Sequence, residues 1–283
     1  MTADNAPRQR GFSQVDVFTD TALLGNPLAV VHDGSGLSAE RMAAFARWTN
    51  LSETTFLLPP TTPEADYRVR IFTPGGELPF AGHPTLGSCH VWLQAGGQPR
   101  RAGTVVQECG VGLVPLRSAG RLAFAAPPTT VERVDAELLH RVYAALGLAP
   151  ARVRDAAWLS NGFPQLTLLL DSAATVLALE PDHSVLKALA KVGVVGPHPA
   201  GGEFDFEVRF FAASIGINED PVTGSLNANI ARWLLDSGRA PTTYVAAQGT
   251  AMGRAGRIHV ERDAEGTWIG GDVAAGIAGT VLL

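Results

Sequence analysis

Glu219-Asp220-Pro221-Val222-Thr223-Gly224-Ser225 runs straight into the apolar stretch Leu226 to Leu235, and no other segment narrows the choice of fold so far. Proline fixes one backbone angle and glycine frees another, so these residues spell a sharp turn feeding a buried helix. The first backbone N–H groups of such a helix have no intrahelical partners and form a seat for an anion. The same order of residue types stands earlier, at Phe80-Ala81-Gly82-His83-Pro84-Thr85-Leu86-Gly87-Ser88, leading into Cys89-His90-Val91-Trp92-Leu93. Pro84 and Pro221 are each followed three residues later by Gly-Ser. The chain therefore reads as two related loop-to-helix units, one per half, whose helix mouths converge on one small ligand.

A length of 283 residues accommodates two domains of ordinary size. Ala125-Ala126-Pro127-Pro128 reads as the hinge, giving halves 1–125 and 126–283, with the last strand free to return to the first half. A net charge of −5 with dispersed signs leaves no footprint for nucleic acid or an anionic membrane. Two cysteines, Cys89 and Cys109, build neither a disulfide framework nor a zinc site, which fits a reducing, cytoplasmic setting. Met1 to Gly11 is polar, lacks an apolar signal core and reads as a short disordered tail on a soluble protein; no run is long enough to span a membrane.

Strands are expected at Phe12 to Phe18, Leu28 to Val31, Leu51 to Leu58 and from Tyr67, where Tyr67, Val69 and Ile71 alternate with Arg68 and Arg70. More follow at Val105 to Glu108, Gly112 to Arg117, Leu122 to Phe124, Gln165 to Leu170 and Phe204 to Phe210, with short ones around Ile258 to Glu261, Trp268 to Ile269 and Thr280 to Leu283. Ser38 caps a helix to Trp48, with Leu37 and Met42 as a hydrophobic staple, and Asp135 caps another ending at Gly147. A third is expected from Asp182 to Lys191, stopped by Gly193. Many strands with few helices mean α+β rather than a βαβ array.

At Glu53, His83 and Asp220 the chain resembles the PhzF-like (phenazine biosynthesis) isomerases, within the diaminopimelate-epimerase-like fold. The resemblance covers nearly the whole length and rests on motifs in order. These are Val15-Asp16-Val17-Phe18 with Gly25-Asn26-Pro27-Leu28-Ala29-Val30, Leu51-Ser52-Glu53-Thr54-Thr55-Phe56, Phe80 to Thr85, Glu219 to Ser225, Gln248-Gly249 and Gly253 to Ile258. It implies two similar halves, each a β-barrel-like sheet around a central helix, roughly Thr85 to Gln94 and Ser225 to Leu235, with an active site in the cleft between them. It also implies a homodimer. Related racemases carry thiols at the helix mouths; here those loops hold Ala81-Gly82-His83 and Asp220-Pro221, which does not support two-thiol racemisation. The resemblance instead makes Glu53 the proton shuttle, assisted by His83, Asp220 and Ser225, with backbone N–H groups near Gly82 and Gly224 holding a substrate carboxylate. One departure, Leu226-Asn227-Ala228-Asn229 in place of an alanine-histidine continuation, bears on the substrate.

Each residue also has an ordinary structural reading. Glu53 could cap a turn or pair with a surface arginine, His83 could be a hydrogen-bonded core histidine, and Asp220 could be an Asx-turn or N-cap. Ser225 lacks a Gly-x-Ser-x-Gly elbow, so a helix-start hydroxyl is the modest reading, and Gly82 and Gly224 could simply relieve crowding. Trp92 and Trp233 read as core, as do the two cysteines. His83 and His90 lack metal-ligand spacing, no nucleotide-binding glycine motif occurs and no lysine stands in a site motif, so neither metal nor cofactor is expected. The expected activity is a cofactor-independent isomerase that shifts a proton and a double bond in a small carboxylic acid, amino or hydroxy, by general acid–base catalysis. The alternative is a non-catalytic module that binds a small acid in the same cleft.

Overall fold

Period-two burial builds the first unit's sheet: in one strand Tyr67, Val69 and Ile71 are buried while Arg68 and Arg70 stay half-exposed. The computed structural model describes residues 7–283 and divides the chain into a unit drawn from Met1–Ala125 with Gly270–Leu283 and a second unit, Ala126–Ile269. The first contains β1 (Gln9–Val17), β2 (Asn26–Val31), α1 (Ala39–Thr49), β3 (Glu53–Leu58), β4 (Tyr67–Thr73), β5 (Gly76–Leu78), α2 (Gly82–Gln94), β6 (Thr104–Cys109), β7 (Gly112–Arg117) and β8 (Ala123–Ala125). The second contains β9 (Thr130–Glu132), α3 (Ala136–Ala145), β10 (Val153–Ser160), β11 (Pro164–Leu170), α4 (Ala173–Leu177), α5 (His183–Leu186), β12 (Val192–Pro197), β13 (Phe206–Phe211), α6 (Gly224–Asp236), β14 (Thr243–Gln248), β15 (Gly256–Arg262) and β16 (Thr267–Gly270). The chain then returns to the first unit, where β17 (Val273–Leu282) pairs antiparallel with β1.

The two units share a pairing order. β1–β2, β3–β4 and β6–β7 are antiparallel, while β2–β3 and β4–β6 are parallel. β10–β11, β12–β13 and β14–β15 are antiparallel, while β11–β12 and β13–β14 are parallel. Each parallel step needs a crossover. In both units the second crossover is the helix buried nearly all round, α2 or α6. One face of the first sheet takes α1 through Met42, Phe45, Phe56 and Phe72, and the other takes α2. In the second unit Val142 of α3, its C-cap Leu146, Val176 of α4 and Leu186 of α5 cover the face that carries Leu168 and Val194. Each such side chain contributes about 1.5–3 kcal/mol by leaving water.

Local signals place the ends. Ser38 accepts from Arg41 N at the start of α1, Asn50 closes that helix in the left-handed conformation, and Leu37 packs into the cluster that holds Met42. Other expectations need correction. Gln9, Arg10 and Gly11 belong to β1, so the polar tail is shorter than expected; its first six residues lie outside those described. The helix expected from Asp182 to Lys191 is a single turn at His183–Leu186, followed by β12. Gly193 does not stop a helix: it is a strand residue, and a Cβ there would lie 2.5 Å from Leu226 Cδ1 of α6. The Pro-x-x-Gly-Ser spacing also misaligns the two units, because Pro84 is the third residue of α2 whereas Pro221 precedes α6. By structure, Gly82 corresponds to Gly224 and His83 to Ser225. Trp233 is buried in the core, whereas Trp92 is half-buried and stacks on the buried Tyr67 with centroids 5.3 Å apart.

Candidate functional site

α2 opens without a side-chain cap: its N-cap is Ala81, and Pro84 at the third position has no N–H to offer. Glu53 starts β3 beside this helix mouth, and its Oε2 lies 3.4 Å from Nε2 of His83, the second residue of the helix. The His83 side chain is 5% exposed and that of Glu53 16%. Glu53 Oε2 is buried and receives no hydrogen bond. Burial pushes the Glu53 pKa up to about 7, and a hydrogen bond from Ser52 offsets part of that rise. A carboxylic acid poised near neutrality can both take and return a proton.

The floor beneath this mouth is polar but closed. Tyr67 OH donates to Gln107 Oε1 at 2.8 Å, and Gln107 Nε2 donates to Thr85 Oγ1 at 3.0 Å, tying α2 to β4 and β6. Ser88 donates to Thr55 at 2.9 Å, tying it to β3. Cys89, on the same helix, is fully buried and its pKa is pushed up to about 12 by burial, so it is a packed thiol rather than a base. Asp16 spends its carboxylate on the Leu23 backbone N–H, holding the loop after β1.

The mouth of α6 in the second unit is built differently. Thr223 is its N-cap but makes no capping bond; its hydroxyl goes to Asp220 Oδ2 at 2.5 Å. Gln248, at the end of β14, accepts from the Thr223 backbone N–H at 3.0 Å and from Asn227 Nδ2 at 2.8 Å. Ser225 accepts from Gln165 Nε2 at 3.4 Å through its hydroxyl and from Asn161 Nδ2 at 2.9 Å through its carbonyl. Asn229 donates to Gln165 Oε1 at 2.7 Å, so Asn227 and Asn229 both tether α6. The preceding loop is anchored by Arg209, which grips Glu219 through two bonds of 2.8 and 2.9 Å and donates to the Val176 and Leu179 carbonyls.

Of the expected site residues, Glu53, His83 and Gly82 come together at the first mouth, and Asp220, Gly224 and Ser225 at the second. Sequence reasoning gave no role to Gln248, Thr223, Gln107 or Arg209. For Gln248 a signal exists: a lone glutamine closing the otherwise apolar run Val245-Ala246-Ala247. Among the described residues, no three His, Cys, Asp or Glu side chains are grouped to hold a metal ion, and no helix is long and apolar enough to cross a membrane.

A family model described as phenazine biosynthesis-like protein matches residues 15–279. Antisense-enhancing sequence 1 of Schizosaccharomyces pombe is 36% identical over 87% of this chain and 88% of its own length. Trans-2,3-dihydro-3-hydroxyanthranilate isomerase of Pseudomonas aeruginosa is 36% identical over 89% of this chain and 90% of its own. Among solved structures, a PhzF-family phenazine biosynthesis protein from Enterococcus faecalis superposes with a TM-score of 0.82 at 28% identity, covering 98% of this chain and 100% of that one. The fold alone is shared, at 15% identity or less, with a hydroxyproline epimerase and a proline racemase from Agrobacterium species.

Proposed function

The chain belongs to the phenazine biosynthesis-like family of isomerases, and from that premise we propose that it moves a proton, and with it a double bond, within a small unsaturated carboxylic acid, using Glu53 as the shuttle. The observation that carries this reading is the buried Glu53 carboxyl, with one bare oxygen and a pKa near 7, standing against His83 at an uncapped helix mouth.

In its carboxylate form Glu53 takes a proton from carbon. The electron pair left behind spreads into the acid's conjugated system, and the same carboxyl returns the proton at the other end of that system. The N–H groups of Gly82 and His83 face the developing negative charge, and His83, against Glu53 Oε2, steadies the carboxyl that carries the proton. General acid–base help of this kind is worth about 10²–10⁴-fold. The two thiols have no part: Cys89 is buried seven residues into α2 and Cys109 ends β6, where burial likewise raises its pKa.

The relative's named substrate suggests the first probe. Trans-2,3-dihydro-3-hydroxyanthranilic acid, with other unsaturated and amino acids beside it, is incubated with the protein in heavy water and followed by NMR. Carbon-bound deuterium is expected with at least one acid. Folded Glu53→Gln protein that exchanges at the native rate would overturn the assignment.

A further inference from the structure

Gln248 is fully buried, and its amide makes four hydrogen bonds. Besides accepting from Thr223 N and Asn227, it donates through Nε2 to the Asp220 carbonyl at 3.2 Å and to Thr223 Oγ1 at 3.0 Å. Its orientation follows from its partners. A backbone N–H only donates and a backbone carbonyl only accepts, so Oε1 must face Thr223 N and Nε2 must face Asp220 O. Once Nε2 donates to Thr223 Oγ1, the hydroxyl's own proton points elsewhere, and Asp220 Oδ2 at 2.5 Å receives it. The result is a one-way relay from Gln248 through Thr223 to Asp220.

We propose that Gln248 is a positioning residue that, acting through Thr223, aims a hydroxyl proton at Asp220 and holds that side chain as an ionised acceptor. The relay lies within the second unit and does not rest on the isomerase reading.

The duplicated architecture isolates what is special here. Gln107 on β6 occupies the place of Gln248 on β14, and both reach the fourth residue of their central helix, Thr85 in α2 and Asn227 in α6. The tether is therefore common to both units. Gln107 ends on Thr85 and Tyr67, with no carboxylate in the chain of bonds, whereas Gln248 continues to an acid. The charged groups on the neighbouring elements include Glu219, paired with Arg209, Glu207, paired with His198, and Arg254, five residues beyond Gly249, to whose carbonyl its backbone N–H donates. A hydrogen bond donated to a carboxylate favours the ionised form.

The test is a carboxyl-carbon NMR titration of Asp220 in protein labelled with ¹³C-aspartate. Native Asp220 is expected to stay ionised below the ordinary aspartate range. Gln248→Met and Thr223→Val should each weaken its acidity about tenfold, the double variant should add little more, and Thr223→Ser, which keeps the hydroxyl, should restore the native curve. Gln107→Met should leave the Asp220 curve in place while lowering the melting temperature. An unchanged curve in folded Thr223→Val or Gln248→Met overturns the proposal; if Gln248→Met does not fold, Thr223→Val alone decides. Absence of exchange in the native protein would remove the isomerase reading and leave the titration result standing.

Discussion

The two central helices begin in opposite chemical settings although the sheets around them repeat the same pairing order. At the α2 mouth one carboxyl is buried between Ser52 and His83, with an oxygen that receives no hydrogen bond. At the α6 mouth a network of hydrogen bonds runs through Gln248, Thr223, Asn227, Gln165 and the Arg209–Glu219 pair. A carboxyl that must change protonation state cannot be saturated with donors, because they would lock it as the anion. A rigid seat needs that saturation. Duplication lets one architecture hold both requirements, one per copy.

The contrast breaks first if the dry carboxyl proves dispensable. Glu53→Gln should cut carbon-proton exchange about 10³-fold, measured by deuterium incorporation, because the carboxyl that burial holds near pKa 7 is gone. Next comes the wired mouth. Arg209→Met leaves Glu219 as an uncompensated charge whose side chain is 11% exposed, and should lower unfolding free energy by about 3–5 kcal/mol in urea titrations. A loss below 1 kcal/mol would mean that this mouth is less rigid than its bonds imply.

The third prediction concerns pH. Native Glu53 keeps its proton to about pH 7, whereas the unfolded chain loses it near the ordinary value of 4.5. Between those values the native state binds more protons than the unfolded one, so this residue's contribution to stability falls as pH rises. The cost is absent below pH 4.5, complete above about 7, and reaches about 3 kcal/mol. Unfolding of native protein minus that of Glu53→Gln, measured from pH 4 to 8, isolates it. The variant should be the more stable protein at pH 8, trading activity for stability.

The smallest expected effect tests the equivalence of the helices. A Cβ on Gly87 of α2 would meet Leu28 Cδ2 at 2.6 Å and Val17 Cγ2 at 2.9 Å, and one on Gly193 would meet Leu226 of α6 at 2.5 Å. Each Gly→Ala change should cost about 1–3 kcal/mol by crowding flexible side chains, read from thermal unfolding. Unequal costs would show that one central helix has more room to shift than the other.

Much of this was legible in the residues. Alternation in Tyr67 to Ile71 and the caps Ser38 and Asp135 encode local geometry, which short windows of sequence carry directly. Glycine was read less well. Gly193 resembles a helix stop, but its reason lies in Leu226, thirty-three positions away, and no local pattern reports a close approach from another element. The repeated Pro-x-x-Gly-Ser drew attention to both mouths for a partly accidental reason, since the prolines occupy different places relative to their helices. Glu207 and Arg209 alternate with Phe206, Val208 and Phe210 along the sequence, yet both are buried, each matched by a partner, His198 and Glu219, whose proximity only the fold creates. The contact between Glu53 and His83 belongs to the same class.

The position of β17 carries a consequence for biogenesis. This strand completes the first unit by pairing with β1, and Leu283 exchanges backbone bonds with Arg8, yet the ribosome delivers both only after every residue of the second unit has been made. The leading half must therefore wait, with the edge of β1 unpaired during translation, while the trailing half can fold as soon as it emerges. Nascent chains stalled near residue 269 should expose the first unit to protease and chaperones, and release of the final strand should act as the latch.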